Sequence, residues 1–151
     1  METIVPTLEA HLGYWLRCVS NRVSGEFARA LQARHASVAE WVVLCYIREL
    51  PERKPGEIAR ALGLTRGAIS KVLDKLETKT WITRAAMPED NRAQQLSLTP
   101  QGRRILPVLT KIADRNDEHF FGRLDAGEQI TLRQLLRKLA DFHRISEMPV
   151  E

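Results

Sequence analysis

The stretch Lys54–Leu76, KPGEIARALGLTRGAISKVLDKL, leaves few structures open to the chain. It reads as two short helices joined by a tight turn. Pro55 suits a first helical position, where the missing proline N–H would have had no partner anyway. Ile58, Ala59 and Leu62 then share one face. Gly63 closes the helix, because glycine takes the left-handed conformation without a Cβ penalty. Thr65 stands at an N-cap, its hydroxyl placed to accept a free backbone N–H. Ile69, Val72, Leu73 and Leu76 give the second helix a buried stripe. Its opposite face carries Arg66, Gly67, Ser70, Lys71 and Lys75, with small Ala68 near the start. A helix with that face fits the DNA major groove, about 12 Å wide, its first residues against base edges. A plain helical hairpin with a solvated charged face has the same pattern, so the flanking sequence has to decide.

After Lys79 the periodicity changes from helical to alternating. Trp81–Ala85 and Gln94–Leu98 read as two short strands. Met87 to Arg92 between them is rich in turn formers, which predicts a hairpin with a long tip. A two-stranded wing beside a groove-reading helix rests on the DNA backbone and reaches a minor groove. Arg92 is the natural tip residue for that, since narrow minor grooves attract arginine, and Asp90 is placed to orient it. Arg84, on the first strand, joins the DNA-facing set. The alternative is a surface hairpin with a local ion pair.

The rest of the chain is helical. Leu8–Ala33 reads as one long helix with Leu12, Trp15, Leu16, Val19, Val23, Phe27 and Leu31 at threes and fours. So long a stripe so near the start favours a partner chain over a cover supplied wholly within one subunit. Ser37 and Glu40 form a capping box for Val38–Leu50, which is apolar almost all round and therefore central to the core. Thr99 and Pro100 open a helix that runs to about Gly122, with Pro107 inside it as a predicted kink. Asp125 and Glu128 box the start of a last helix, Ala126 to about Ser146.

Composition limits the alternatives. A chain of 151 residues, 44% hydrophobic, makes one domain or a small domain with helical extensions. No apolar run approaches the roughly 20 residues of a membrane span, and the acidic start METIVPTLEA is no secretory signal. Cys18 and Cys45 make neither a disulfide framework nor a metal spacing, which suits a cytosolic, reduced protein. Net charge is +4, and it is unevenly placed: Glu52–Arg104 holds 11 Lys and Arg against 6 Asp and Glu. That asymmetry fits a polyanionic partner. His11, His35, His119 and His143 lack ligand spacing, and there is no phosphate-binding glycine loop or nucleophile elbow. Catalysis, metal and cofactors are therefore not expected.

EIARALGLTRGAISKVLDKLE, then WITR, PEDNR and LSLTPQG, in that order and spacing, resemble the multiple-antibiotic-resistance regulator (MarR) family. VAEWVVLCYI is similar to the family's second helix around its tryptophan. The resemblance implies a mainly α fold with a small β-wing, a winged helix-turn-helix plus a helical dimerisation region. It assigns residues 1–36 and 100–151 to dimerisation and 37–99 to the DNA-binding lobe. It implies a cytoplasmic homodimer on a pseudo-palindromic duplex operator, usually a repressor, released by a small and often phenolic effector. Carried over by position, Thr65, Arg66, Ala68, Ser70, Lys71 and Lys75 fall on the recognition helix, and Asp90 and Arg92 on the wing tip. Asn91 replaces an arginine there, which removes a charge. Thr80 stands where a glycine is usual, which predicts a less sharply turned helix end. An effector pocket is expected where the first, second and fifth helices meet the DNA-binding lobe, lined by Tyr14, Trp15, Arg17, Cys18 and Trp41. Two alternatives remain: a redox sensor of the same fold acting through Cys18 beside Arg17, and a helical module that binds protein instead of DNA.

Overall fold

The structure is a computed structural model, and it describes all residues except 2, 53, 88, 148, 149 and 151, together with the backbone but not the side chains of 90–93. Its elements are α1 (Leu12–Gln32), α2 (Val38–Glu49), α3 (Pro55–Ala61), α4 (Arg66–Thr78), β1 (Ile82–Met87), β2 (Asp90–Leu98), α5 (Pro100–Phe121) and α6 (Ala126–Phe142). The fold is mainly α with one small antiparallel sheet, as the sequence predicts.

Local signals set the helix starts. Ser37 Oγ accepts from Glu40 N at 3.1 Å and the Glu40 carboxylate accepts from Ser37 N at 3.3 Å, completing the capping box of α2. Thr65 Oγ1 accepts from Ala68 N at 3.0 Å, and Thr99 Oγ1 from Gly102 N at 2.9 Å. Asp125 and Glu128 exchange bonds of 2.8 and 2.9 Å at the start of α6. Each satisfies helix N–H groups that would otherwise be orphaned.

The helix ends share one device. Gly63, His35, Thr80 and Arg144 all take positive φ, between 54° and 65°. In each case the next residue's N–H reaches back five positions: Ala36 to Leu31 O, Leu64 to Ala59 O, Trp81 to Leu76 O and Ile145 to Ala140 O, at 2.8–3.1 Å. This is the left-handed closure that glycine performs most cheaply. At Thr80 the expectation of a blunter end is corrected: threonine makes the same turn that glycine would. At Arg144 the closure ends α6 four residues before Ser146.

Two other boundaries differ. The expected helix from Leu8 is split into a single 3-10 turn, Leu8–Ala10, and α1, because His11 is extended. The wing strands are also longer than predicted and the tip shorter, since Met87 pairs with Asp90, with a register shift next to Ala86.

The core lies between α2, α3, α4, the sheet and α5. Leu31, Val43, Leu44, Ile58, Leu73, Leu76, Ile82, Leu96, Leu106 and Leu109 are at most 2% exposed. Each such side chain contributes roughly 1.5–3 kcal/mol of transfer free energy. Gly102 lies against the backbone of Trp81, whose carbonyl accepts from Thr99 N at 3.0 Å. That close approach fixes the start of α5 on the root of the wing. By contrast, α1 buries only Leu31 and α6 buries nothing.

Candidate nucleic-acid interface

Helix α4 has two unlike edges. Ile69, Leu73 and Leu76 are 3%, 1% and 0% exposed and hold it on the core. Thr65, Arg66, Gly67, Ser70, Lys71 and Lys75 are exposed, and Ala68 is half-buried between the two edges. The fold thus brings the predicted recognition residues onto one solvent-facing, cation-edged surface.

Beside it lies a concave basin of about 530 Å³ between α3, α4 and the sheet. Lys54, Arg60, Arg66 and Arg84 line it against one carboxylate, Glu57. Such a basin focuses positive potential on an approaching polyanion. Lys54 and Arg60 are additions to the residues expected from sequence. The only signal for them was the excess of Lys and Arg in this segment.

Arg84 is held differently from the others. Its Nη2 donates to Asp74 Oδ1, and its Nε lies 3.7 Å from Glu77 Oε2. The side chain is 14% exposed, and Nε has no hydrogen-bond partner among the described residues. A guanidinium engaged by two carboxylates of α4 ties the first wing strand to that helix. Arg84 therefore ties the wing to α4, a role that sequence spacing did not reveal.

A second tie joins the far end of α4 to the start of α2. Lys79 Nζ donates to Glu40 Oε2 and to His35 O, and lies 5.0 Å above the Trp81 ring. Glu40 is the sole buried charged residue among those described, at 4% exposure. Its two oxygens thus cap α2 and anchor α4 together.

The comparisons with known proteins agree with this geometry. A family model described as "MarR family" matches residues 36–93. A putative transcriptional regulatory protein for the hcr operon of Thauera aromatica is 30% identical over 149 residues, 98% of this chain and 89% of that one. The chain belongs to the MarR family. The HTH-type transcriptional repressor NicR of Pseudomonas putida is 25% identical, with 86% of this chain and 82% of the repressor covered. Among solved structures, a variant of E. coli MarR complexed with operator DNA superposes with a TM-score of 0.73 at 28% identity, covering 85% of this chain and 92% of that one. The protein is thus a transcriptional regulator of the MarR type.

The remaining predicted positions are less gathered. The side chains of Asp90 and Arg92, the expected wing tip, lie outside the described residues. Tyr14, Trp15, Arg17 and Cys18 are exposed on α1, with the Tyr14 and Trp15 rings edge to face at 5.4 Å. Trp41 instead packs inward, edge to face with Phe27 at 5.2 Å, and donates to Thr110 Oγ1 at 3.3 Å. Cys45 is half-buried, and that burial raises its thiol pKa. Among the described residues no helix is long and apolar enough to cross a membrane, and no His, Cys, Asp and Glu cluster could hold a metal.

Proposed function

We propose that this MarR regulator works as a cytoplasmic homodimer that places two α4 helices in successive major grooves of a pseudo-palindromic operator and represses until a small aromatic effector releases it. The observation that carries this reading is the exposed edge of α4, where Arg66, Ser70, Lys71 and Lys75 face solvent together. Arg66 and Lys71 contact base edges or phosphates, and Arg92 at the wing tip enters the minor groove.

Residues 1–36 and 100–151 form the dimer, and 37–99 the DNA-binding lobe. Support comes from apolar side chains with no cover within the chain. Trp15 and Leu16 on α1 are 51% and 55% exposed, and Leu135, Leu139 and Phe142 on α6 are 54%, 54% and 80% exposed. Apolar surface this extensive belongs to an interface. A homodimer would bring α1 of each copy near the other's pocket, so that Tyr14, Trp15, Arg17, Cys18 and Trp41 offer rings and a cation to an aromatic acid. An effector that binds the DNA-free arrangement better lowers DNA affinity by the same factor.

The test is a mobility-shift titration on duplex fragments at several salt concentrations. The expected result is tight binding with a steep negative salt slope and release by aromatic carboxylates. Salt-independent binding would point to a protein-interaction module instead. Exposed Cys18 supports a second reading, in which oxidation releases DNA. Peroxide-dependent loss of binding that disappears in Cys18→Ser would favour it.

A further inference from the structure

Beyond α6 the chain comes back to the DNA-binding lobe. His143 caps the helix, Arg144 turns left-handed at φ 54°, and Ile145 N donates to Ala140 O at 2.8 Å. Val150 is half-buried and packs against the core cluster that holds α3 and α4. Glu147 lies across the turn that joins those two helices. We infer that this acidic tail is a built-in brake on DNA binding: a carboxylate held where a phosphate of the duplex has to come. The inference rests on the reading of α4 as the groove-entering helix.

The contact is close. A Cβ placed on Gly63 would lie 2.7 Å from one Glu147 carboxylate oxygen, 3.2 Å from the other and 2.8 Å from the carboxyl carbon. Glycine therefore does two things here. It takes φ 65° without strain, and it leaves the room that the carboxylate fills. Two residues on, Thr65 caps α4, and Arg66 opens it. That end of the helix carries the positive pole of its dipole, which attracts an anion, whether the tail's own or a phosphate. The two repel each other there.

Charge fits the same role. Residues 145–151 hold Glu147 and Glu151 and no cation, so the surplus of Lys and Arg on the lobe attracts the tail. The ion pairs formed among the described residues leave Glu147 out, and its charge is felt by whatever approaches the start of α4. Phosphates recur along every duplex, so the penalty falls on all sequences alike. A brake of this kind lowers binding to DNA at large, and base contacts have to overcome it.

The experiment titrates the whole chain against a fluorescently labelled duplex of mixed sequence, by anisotropy at several salt concentrations. Glu147→Gln should bind about threefold more tightly than wild type, the size of one screened like-charge contact. Glu147→Lys should bind about tenfold more tightly, with a salt slope steeper by about 0.9. Glu9→Gln, the same charge change on the 3-10 turn ahead of α1, should leave binding unchanged. Val150→Ser loosens the tail, so the gain from Glu147→Lys should shrink in that background. Glu147 variants at or below wild-type affinity, an equal gain in Glu9→Gln, or an undiminished Glu147→Lys gain alongside Val150→Ser would overturn the brake while leaving DNA recognition by α4 intact. Wild type and variants that all fail to bind duplex would sink the reading of α4 itself, and the brake with it.

Discussion

Gly102→Ala tests the joint between the wing and α5. A methyl group at Gly102 would lie 3.0 Å from the Trp81 carbonyl carbon, 3.3 Å from its Cα, and closer still to its oxygen. The obstacle is backbone, so no side-chain rotation relieves it. Either the first turn of α5 or the entry to β1 must move by about an ångström. Overpacking of this kind costs about 1–3 kcal/mol. The movement also stretches Thr99 N to Trp81 O, now 3.0 Å, and Thr99 Oγ1 to Thr80 O, now 2.5 Å. Each bond contributes about 0.5–1.5 kcal/mol net. The expected loss is therefore about 2–6 kcal/mol, read by urea unfolding at 222 nm at fixed protein concentration. Gly56→Ala is the control, since a methyl there meets nothing within 4 Å. If Gly102→Ala unfolds within about 0.5 kcal/mol of Gly56→Ala, a spread typical of surface changes, the close approach is not what positions α5.

Three further outcomes follow from named contacts. Arg84→Lys should lower duplex affinity severalfold by anisotropy, because an ammonium cannot span Asp74 and Glu77, while stability falls by only about 1 kcal/mol, since both carboxylates are half-exposed or more. Lys79→Met should destabilise by about 2–3 kcal/mol in urea by leaving buried Glu40 without its cation, and adding Glu40→Gln should recover part of that loss. Under a thiol reagent Cys18 should label first. Burial raises the Cys45 thiol pKa, so its thiolate forms only at higher pH, and its labelling rate should climb later than that of a small free thiol such as glutathione.

How much of this was legible in the sequence depends on how far each signal reaches along the chain. The starts of α2, α4, α5 and α6 were readable, because Ser37 with Glu40, Thr65, Thr99 and Asp125 with Glu128 act across three residues. The left-handed closures that end several helices were readable only where glycine marked them. Gly63 did, whereas His35, Thr80 and Arg144 adopt the same φ with residue types that do not advertise it. The solvent-facing edge of α4 emerged from periodicity alone, since burial on α4 follows the 3.6-residue stripe. What binds that face in place did not, because Glu40 and Lys79 are 39 residues apart and Arg84 spans two elements to reach Asp74. The α1 stripe was legible as apolar, yet periodicity cannot say whose side chains cover it. In the chain itself Leu12, Trp15, Leu16 and Val19 remain exposed.

The central claim is that the exposed edge of α4, doubled by symmetry, reads duplex DNA. Selection of bound fragments from a random duplex library tests it most directly, run in parallel with wild type and Lys71→Ala. The account predicts an enriched two-fold-related pair of half-sites centred about one helical turn, roughly 34 Å, apart, with Lys71→Ala losing affinity for the same sequences. Enrichment of a single unpaired motif, or a Lys71→Ala protein that recovers the wild-type sites at undiminished strength, would contradict it.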